Sequence, residues 1–420
     1  MIHLLRLELM KMKRSRYTFV LLFLLVIAVG SYFFYENQKE KDLKEAEVLI
    51  LSNLEINQAG YEQAKKEIEE NDGTSDFALQ NSFEVHERQF KSYQMMHDGI
   101  VNKDWSLYWQ GELLDTVSME ETKKQELQTI AKSYRWSTPF TVLSGVDQLR
   151  WMEERSIHPI FPTGWHTWLS LYDEEFDTPL LGEIVAEASE KHSSSGFYFI
   201  YQAFSYGFGL AGLLFLLFLF TDILTKEGFG KNGPIQMLRT QPIRRSKFWF
   251  AKGFTVMGGS LFIIFLVALA GLCLGGLFNR IGDWDYPVLI YGPERTYTFL
   301  TIAEFLGKSL GLFLMVLALG FALLFLFSVL TNRAVLAIGL TVAVLVIGQM
   351  LTEQAMLLTW SHWLPFHYIE VFPILNGEYA VVEENALFTY RQAILSLSIS
   401  TLILLIVTFG AVKLRKGVMS

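Results

Sequence analysis

Residues 304–330 read EFLGKSLGLFLMVLALGFALLFLFSVL, and this run decides the class of fold. Its two charged residues, Glu304 and Lys308, lie near its beginning, and the rest of the run carries no charge. A helix needs roughly 20 mostly apolar residues to cross about 30 Å of hydrocarbon. Because backbone polar groups cannot stay unpaired in lipid, the run is predicted to be a membrane-spanning helix.

Five further apolar runs of similar length lie elsewhere in the chain. Hydrophobic residues make up 51% of the 420 residues, and they are too clustered for an ordinary soluble protein. We therefore predict an all-α membrane protein with a six-helix transmembrane bundle. The other five predicted spans are 17–36, 197–222, 253–278, 334–353 and 390–412.

Charge is distributed unevenly along the chain, and this distribution predicts the orientation. Residues 36–196 contain 31 acidic and 15 basic side chains, although the net charge of the whole chain is only −8. Lys and Arg are concentrated instead in 1–16, 223–252 and 413–416. Cytoplasmic segments of membrane proteins collect Lys and Arg. Both termini and the 223–252 loop are therefore predicted to be cytoplasmic, an arrangement that six spans satisfy.

The same pattern divides the chain into three parts. Residues 1–36 are predicted to form an amphipathic elbow helix at the cytoplasmic surface and then the first span; a plain extension beside the membrane is the alternative to the elbow. Residues 37–196 are predicted to form a large, mainly helical extracytoplasmic domain. Residues 197–420 contain the second to sixth spans, the loop at 223–252 and an aromatic, re-entrant-like outer segment at 354–389.

The predicted outer domain has no disulfide, because the single cysteine, Cys273, falls within the third span. Proline and tryptophan are frequent between 138 and 179, which favours irregular, aromatic-packed structure there. For Trp151, Trp165 and Trp168 we favour packing in a core or against the outer lipid surface. A ligand cage is the alternative.

The stretch from Asp222 to Lys252, DILTKEGFGKNGPIQMLRTQPIRRSKFWFAK, is the most informative about function. Glycines and Pro234 end the second span, and residues 235–240 can form a short helix that stops before Pro242. Composition alone favours a positively charged loop that only fixes the topology.

This loop resembles the coupling-helix segment of ABC-2 type ABC transporter permeases. In that family an acidic residue and a glycine precede a short helix, and a Thr-x-Pro step, basic residues and a lysine follow it. The overall layout of elbow, first span, large outer domain and five further spans is also similar. The matching positions in this chain are Glu227, Gly228, Leu238, Thr240, Pro242, Arg244 and Lys252.

The resemblance implies a permease subunit of an exporter in the plasma membrane of a bacterium. Its partners would be cytoplasmic ABC ATPase subunits that bind ATP and Mg²⁺, a second permease, identical or homologous, and membrane lipids. The exported molecule would be lipid-like, a peptide or a drug, and this chain itself would bind no cofactor or metal. The residues expected to couple to the ATPase are Glu227, Gly228, Ile235, Met237, Leu238, Arg239, Thr240, Pro242, Arg244 and Arg245.

Other function classes find little support in the sequence. Gly307-Lys308-Ser309 has Ile302 where a phosphate-binding loop needs its first glycine, so we expect no nucleotide site and no enzyme activity in this chain. The histidines lack metal-ligand spacing, and the basic loops already have a topological explanation, so neither a metal site nor nucleic-acid binding is expected. Charges within the spans are too few for a proton relay.

A membrane sensor or scaffold is the alternative function. Its outer domain would bind a ligand, and its cytoplasmic loop would recruit a signalling partner. The large acidic domain at 37–196 suits this role as well as it suits a permease.

Overall fold

The structure is a computed structural model that describes residues 16–70, 77–129, 134–225, 245–331, 333–355 and 360–417. The predicted elbow helix at the start of the chain lies outside these ranges. The described chain is mostly helical. Its elements are α1 Arg16–Lys39, α2 Leu43–Glu70, α3 Phe77–Asn102, α4 Trp105–Thr129, α5 Pro139–Glu154, α6 Pro179–Ser189, α7 Gly196–Gly207, α8 Leu210–Thr225, α9 Arg245–Phe278, β1 Pro287–Tyr291, β2 Tyr297–Thr301, α10 Ile302–Thr331, α11 Ala334–Met350, α12 Thr352–Ala355, α13 Val371–Leu375, α14 Glu378–Val382 and α15 Tyr390–Gly417.

Four of the described helices are long and apolar enough to cross a membrane. They lie in Tyr17–Glu70, of which α1 is the apolar part, and in Ala251–Phe278, Ile302–Thr331 and Tyr390–Val412. The prediction of a mostly helical membrane protein is therefore confirmed.

The predicted second and fifth spans are not single long helices. The second is divided into α7 and α8, which are bent by 78° and together could form a fifth span. The helix α11 has 17 residues. At 1.5 Å per residue it is about 25 Å long, which is shorter than the roughly 30 Å hydrocarbon layer. The described helices thus support four or five spans, and six spans remain a prediction.

The chain forms two compact units, and the first contains the apolar helices. Its described parts come from the residues up to Phe33, from Phe199–Leu277 and from Glu304 onward. The helix α10 is central: 61% of its most apolar 18-residue window is buried, against 22% or less in α1, α9 and α15. The outer faces of α1, α9 and α15 expose many large apolar side chains, as expected for surfaces that lie in lipid.

The second unit contains Phe34–Tyr198 and Phe278–Ala303. Its helices α2, α3, α4 and α5 pack against one another in sequence order, and Tyr108 and Trp109 of α4 are among its most buried side chains. The helices α3 and α4 approach closely at Gly111, where a Cβ would lie 2.7 Å from the carbonyl oxygen of Ser92. The Ser92 hydroxyl donates to the Gly111 carbonyl at 2.8 Å.

A short β-hairpin completes the second unit, so the expectation of a wholly helical chain was incomplete. The strands β1 and β2 are antiparallel, with Val288 opposite Leu300. The hairpin is attached to α5, since the Trp151 indole donates to the Asp285 carbonyl at 2.9 Å and the Tyr297 hydroxyl donates to Asp147 at 2.6 Å. Segments of five residues are too short for periodicity alone to distinguish a strand from a buried helix.

The tryptophans of the 138–179 region contribute to packing within this unit. Trp168 is 8% exposed and lies against Gly145 of α5, while its carbonyl accepts a hydrogen bond from the Trp136 indole. Trp165 stacks on Trp136 with ring centroids 5.8 Å apart.

We expect Gly111→Ala to destabilise the second unit by about 1–3 kcal/mol, because the added methyl group overpacks the contact between α3 and α4. Thermal unfolding of the full-length protein in detergent, followed by tryptophan fluorescence, measures this. The control is Gly60→Ala in α2, where the nearest atoms are those of the His86 side chain at 3.1 Å. An equal melting temperature for Gly111→Ala and the wild type would show that the close approach is unimportant.

Candidate functional site

The predicted coupling residues lie almost entirely outside the described part of the chain. Helix α8 ends at Thr225 and α9 begins at Arg245, so only Arg245 of the predicted set falls within a described helix. The predicted residues outside the described ranges are Glu227, Gly228, Ile235, Met237, Leu238, Arg239, Thr240, Pro242 and Arg244. What the structure does describe is the pair of helices between which this loop runs.

Lys252 joins these two helices close to the loop. Its side chain is 1% exposed, and its ammonium group donates to the Ile223 carbonyl at 2.6 Å. Ile223 lies in the last turn of α8, where carbonyl groups lack partners within the helix and carry partial negative charge. A buried cation is therefore well placed there, and it links α9 to the end of α8.

The other end of α8 lies at the break in the predicted second span. Helix α7 ends at Gly207, and the Leu210 backbone N–H at the start of α8 donates to Glu370 Oε1 at 3.1 Å. The Gln349 side chain donates to the same oxygen at 3.3 Å. Glu370 thus caps α8 and places negative charge at the positive end of its dipole.

Gly209 leaves room for this cap. A Cβ at this position would lie 2.0 Å from Glu370 Oε2, so a larger residue here would force the Glu370 carboxylate to move. The Val371 N–H donates to the Phe208 carbonyl at 3.1 Å, which pairs another backbone group at the break. The break is therefore a stable part of the fold, because residues 370 and 371 provide hydrogen-bond partners for its backbone groups.

Aromatic side chains pack around the break. The ring of Phe208 stacks on Phe204 with centroids 4.4 Å apart and on Phe313 of α10 with centroids 4.6 Å apart. Phe305 of α10 contacts Phe372 at 4.9 Å between centroids. These contacts fix the position of the break against the central helix.

An apolar cleft of about 550 Å³ lies beside the break, within the first unit. Its volume is in the range of ligand-binding cavities. The cleft opens between α1, α7, α8, α9 and α10. Its lining includes Ala28, Val29, Tyr32, Phe204, Tyr206, Phe208, Phe215, Ile263 and Val267.

A second apolar cleft lies near the α8–α9 junction of the same unit. It measures about 330 Å³ and is lined by residues of α9, α10 and α15, among them Lys252 and Phe321. Among the described residues, no group of three or more His, Cys, Asp or Glu side chains could hold a metal ion.

The long apolar helices and the helical core around α10 define an integral membrane protein. Comparison with known proteins adds no closer assignment: no family model, no curated protein and no solved structure matches the chain.

The sequence contained signals of this site that hydropathy alone does not resolve. The break coincides with Gly207-Phe208-Gly209 inside an apolar run, and Glu370 is an isolated carboxylate in an aromatic segment. Lys252 was singled out from the resemblance, but its partner Ile223 was not. Each partner is distant along the chain, so periodicity gives no information about the contact.

We expect Glu370→Leu to destabilise the first unit by about 1–3 kcal/mol, because the Leu210 N–H and the Gln349 amide then lose their acceptor. Glu370→Gln is the matched control, since its amide oxygen can still accept from Leu210. Melting temperatures in detergent distinguish the two variants. If the Leu and Gln variants lowered the melting temperature equally, the effect would come from the lost charge and not from the lost hydrogen bond. That result would contradict the capping role.

Proposed function

We propose that this chain is the membrane subunit of an ATP-driven exporter of the ABC-2 permease type. The observation that supports the proposal most is the link from Lys252 to Ile223, since it joins the two helices flanking the loop that resembles a coupling helix. A loop that only fixes topology needs no such link. The proposal includes six spans, cytoplasmic termini and a bacterial plasma membrane.

The proposed mechanism uses α8 as a lever. Separate cytoplasmic ATPase subunits bind ATP and Mg²⁺, and their closure pushes the 226–244 loop. Because Lys252 holds the end of α8 to α9, a push on the loop moves both helices together. The opposite end of α8 lies at the 78° break, where Gly209 and the Glu370 cap form the hinge.

The apolar cleft beside the break is the proposed site for the exported molecule. Its lining is almost wholly apolar, which suits a lipid-like molecule or the apolar part of a drug or peptide. A movement of α8 about Phe208 changes the wall of this cleft. A second permease, identical or homologous, would cover apolar surface that this chain exposes on α1 and α9.

A sensor or scaffold remains the second candidate, and one observation favours it. The second unit contains a cavity of its own, about 420 Å³ in volume and lined by apolar and carboxylate side chains, which a permease does not need for transport. In that case the cytoplasmic loop recruits a signalling partner.

Affinity purification of the full-length chain from its native membrane separates these two functions. We expect an ATPase with a phosphate-binding loop to co-purify in mild detergent, because coupling requires a stable contact with the cytoplasmic loop. Co-purification of a kinase without any such ATPase would contradict the permease proposal and favour the sensor.

Variants of the loop test the coupling directly. We expect reversal of charge at Arg244 and Arg245 together, or Met237→Pro, to lower ATP-dependent transport about tenfold or more while ATP hydrolysis continues. Arg391→Glu, an exposed basic residue at the start of α15, is the control. Equal membrane insertion is verified for all variants. Undiminished transport in the loop variants would refute the role of this loop.

A further inference from the structure

The second unit encloses a cavity of about 420 Å³ that the transport proposal does not use. Helices α2, α3 and α4 form its walls, and the segment from Phe161 to His166 closes one side. Its volume lies at the small end of the range for ligand sites, so it suits a molecule of one or two rings.

The lining of this cavity combines aromatic rings with carboxylates. Tyr93, Tyr108 and Trp165 supply aromatic surface, while Glu112 and Asp115 of α4 supply carboxyl groups. The faces of aromatic rings attract cations, and carboxylates pair with them. The lining therefore favours a positively charged ligand with an apolar body.

Glu112 is the most deeply placed of these carboxyl groups. The residue is 6% exposed, and Thr163 donates to its Oε2 at 3.1 Å. The Tyr108 hydroxyl lies 2.7 Å from Thr163 Oγ1 and donates to it when Thr163 donates to Glu112. The other carboxylate oxygen, Glu112 Oε1, lies near Gly164, which also lines the cavity. A Cβ added to Gly164 would be 3.7 Å from it.

Burial raises the pKa of Glu112 to about 7, although the hydrogen bond from Thr163 and the charge of Lys191 lower it. Burial also raises the pKa of Asp115, against the charge of Arg88. Neither carboxylate forms an ion pair with a Lys or Arg among the described residues. Glu112 is buried and Asp115 is half-buried, and the charges of Lys191 and Arg88 act on them without a direct ion pair. A bound cation in direct contact would therefore compensate them further.

We propose that this cavity binds a small organic ammonium ion, whose charged end pairs with Glu112 and Asp115 and whose apolar body lies against Tyr93 and Trp165. The proposal does not depend on the transport function, because a permease or a sensor could carry such a site.

The charged groups around Glu112 set the pH dependence of binding. Tyr93 and Tyr108 stay neutral near pH 7, since burial raises the pKa of each. Burial and the charge of Lys41 lower the pKa of His166, so that its ring is also neutral. Lys41 and Glu45 at the exposed rim have opposite charges. The charge of Asp115 raises the pKa of Glu112 and the charge of Lys191 lowers it. With its pKa raised to about 7, Glu112 titrates between about pH 6 and pH 8. An ammonium ion binds its ionised form, so affinity rises with pH.

The experiment is calorimetric titration of the full-length protein in lipid nanodiscs with tryptamine. Tryptophol and indole-3-propionate, which replace the ammonium by a hydroxyl or a carboxylate, are the matched controls. We expect tryptamine alone to bind, about tenfold more tightly near pH 8 than near pH 6, because the ionised fraction of Glu112 rises by about that factor.

Two variants assign the binding to this cavity. We expect Glu112→Gln to weaken binding and to remove its pH dependence. We expect Asp115→Asn to weaken binding while the pH dependence remains but moves to lower pH, because the charge of Asp115 raises the pKa of Glu112. Glu187→Gln, at an exposed position of α6, should leave binding unchanged. Absence of tryptamine binding to the folded wild type, equal binding of tryptophol, or wild-type affinity in both cavity variants would overturn the proposal.

Discussion

The first unit depends on the requirement that backbone polar groups be paired where water is absent. A continuous helix satisfies this requirement by itself, but the predicted second span is interrupted at Phe208. At the interruption, Glu370 accepts from the Leu210 N–H and the Phe208 carbonyl accepts from the Val371 N–H. At the other end of α8, Lys252 donates to the Ile223 carbonyl. A carboxylate therefore meets the positive end of the α8 dipole and an ammonium meets its negative end.

This arrangement gives α8 two different ends. The Lys252 end is joined directly to α9, whereas the Glu370 end lies at a sharp bend beside the apolar cleft. Gly209 leaves room for the Glu370 side chain, and the ring of Phe208 stacks on Phe313 and so holds the bend against α10. A force applied where the 226–244 loop leaves α8 is thus expected to act on the bend and the cleft wall. In the proposed mechanism this links residues 226–244 to a cavity within the apolar helices.

The sequence predicts the membrane class because hydropathy depends on local composition, and α1, α9, α10 and α15 lie close to their predicted positions. It does not predict the break, the hairpin of β1 and β2, or the Glu370 cap, since these depend on contacts between residues far apart in the chain. In the candidate site, too, local sequence indicates single residues but not the contacts between distant ones. Resemblance pointed to Lys252, but only the fold reveals its contact with Ile223, and only the fold brings Glu112 and Thr163 together around a cavity.

Hydrogen–deuterium exchange tests most directly whether α8 acts as a lever with a hinge at Phe208. The measurement compares the chain together with the proposed ATPase subunits in nanodiscs, without nucleotide and with ATP bound. The account predicts that exchange changes with nucleotide in peptides covering 207–211, while peptides around Ile223 and Lys252 remain equally protected in both states. Unchanged exchange at 207–211, with changes confined to the Ile223 end, would contradict it.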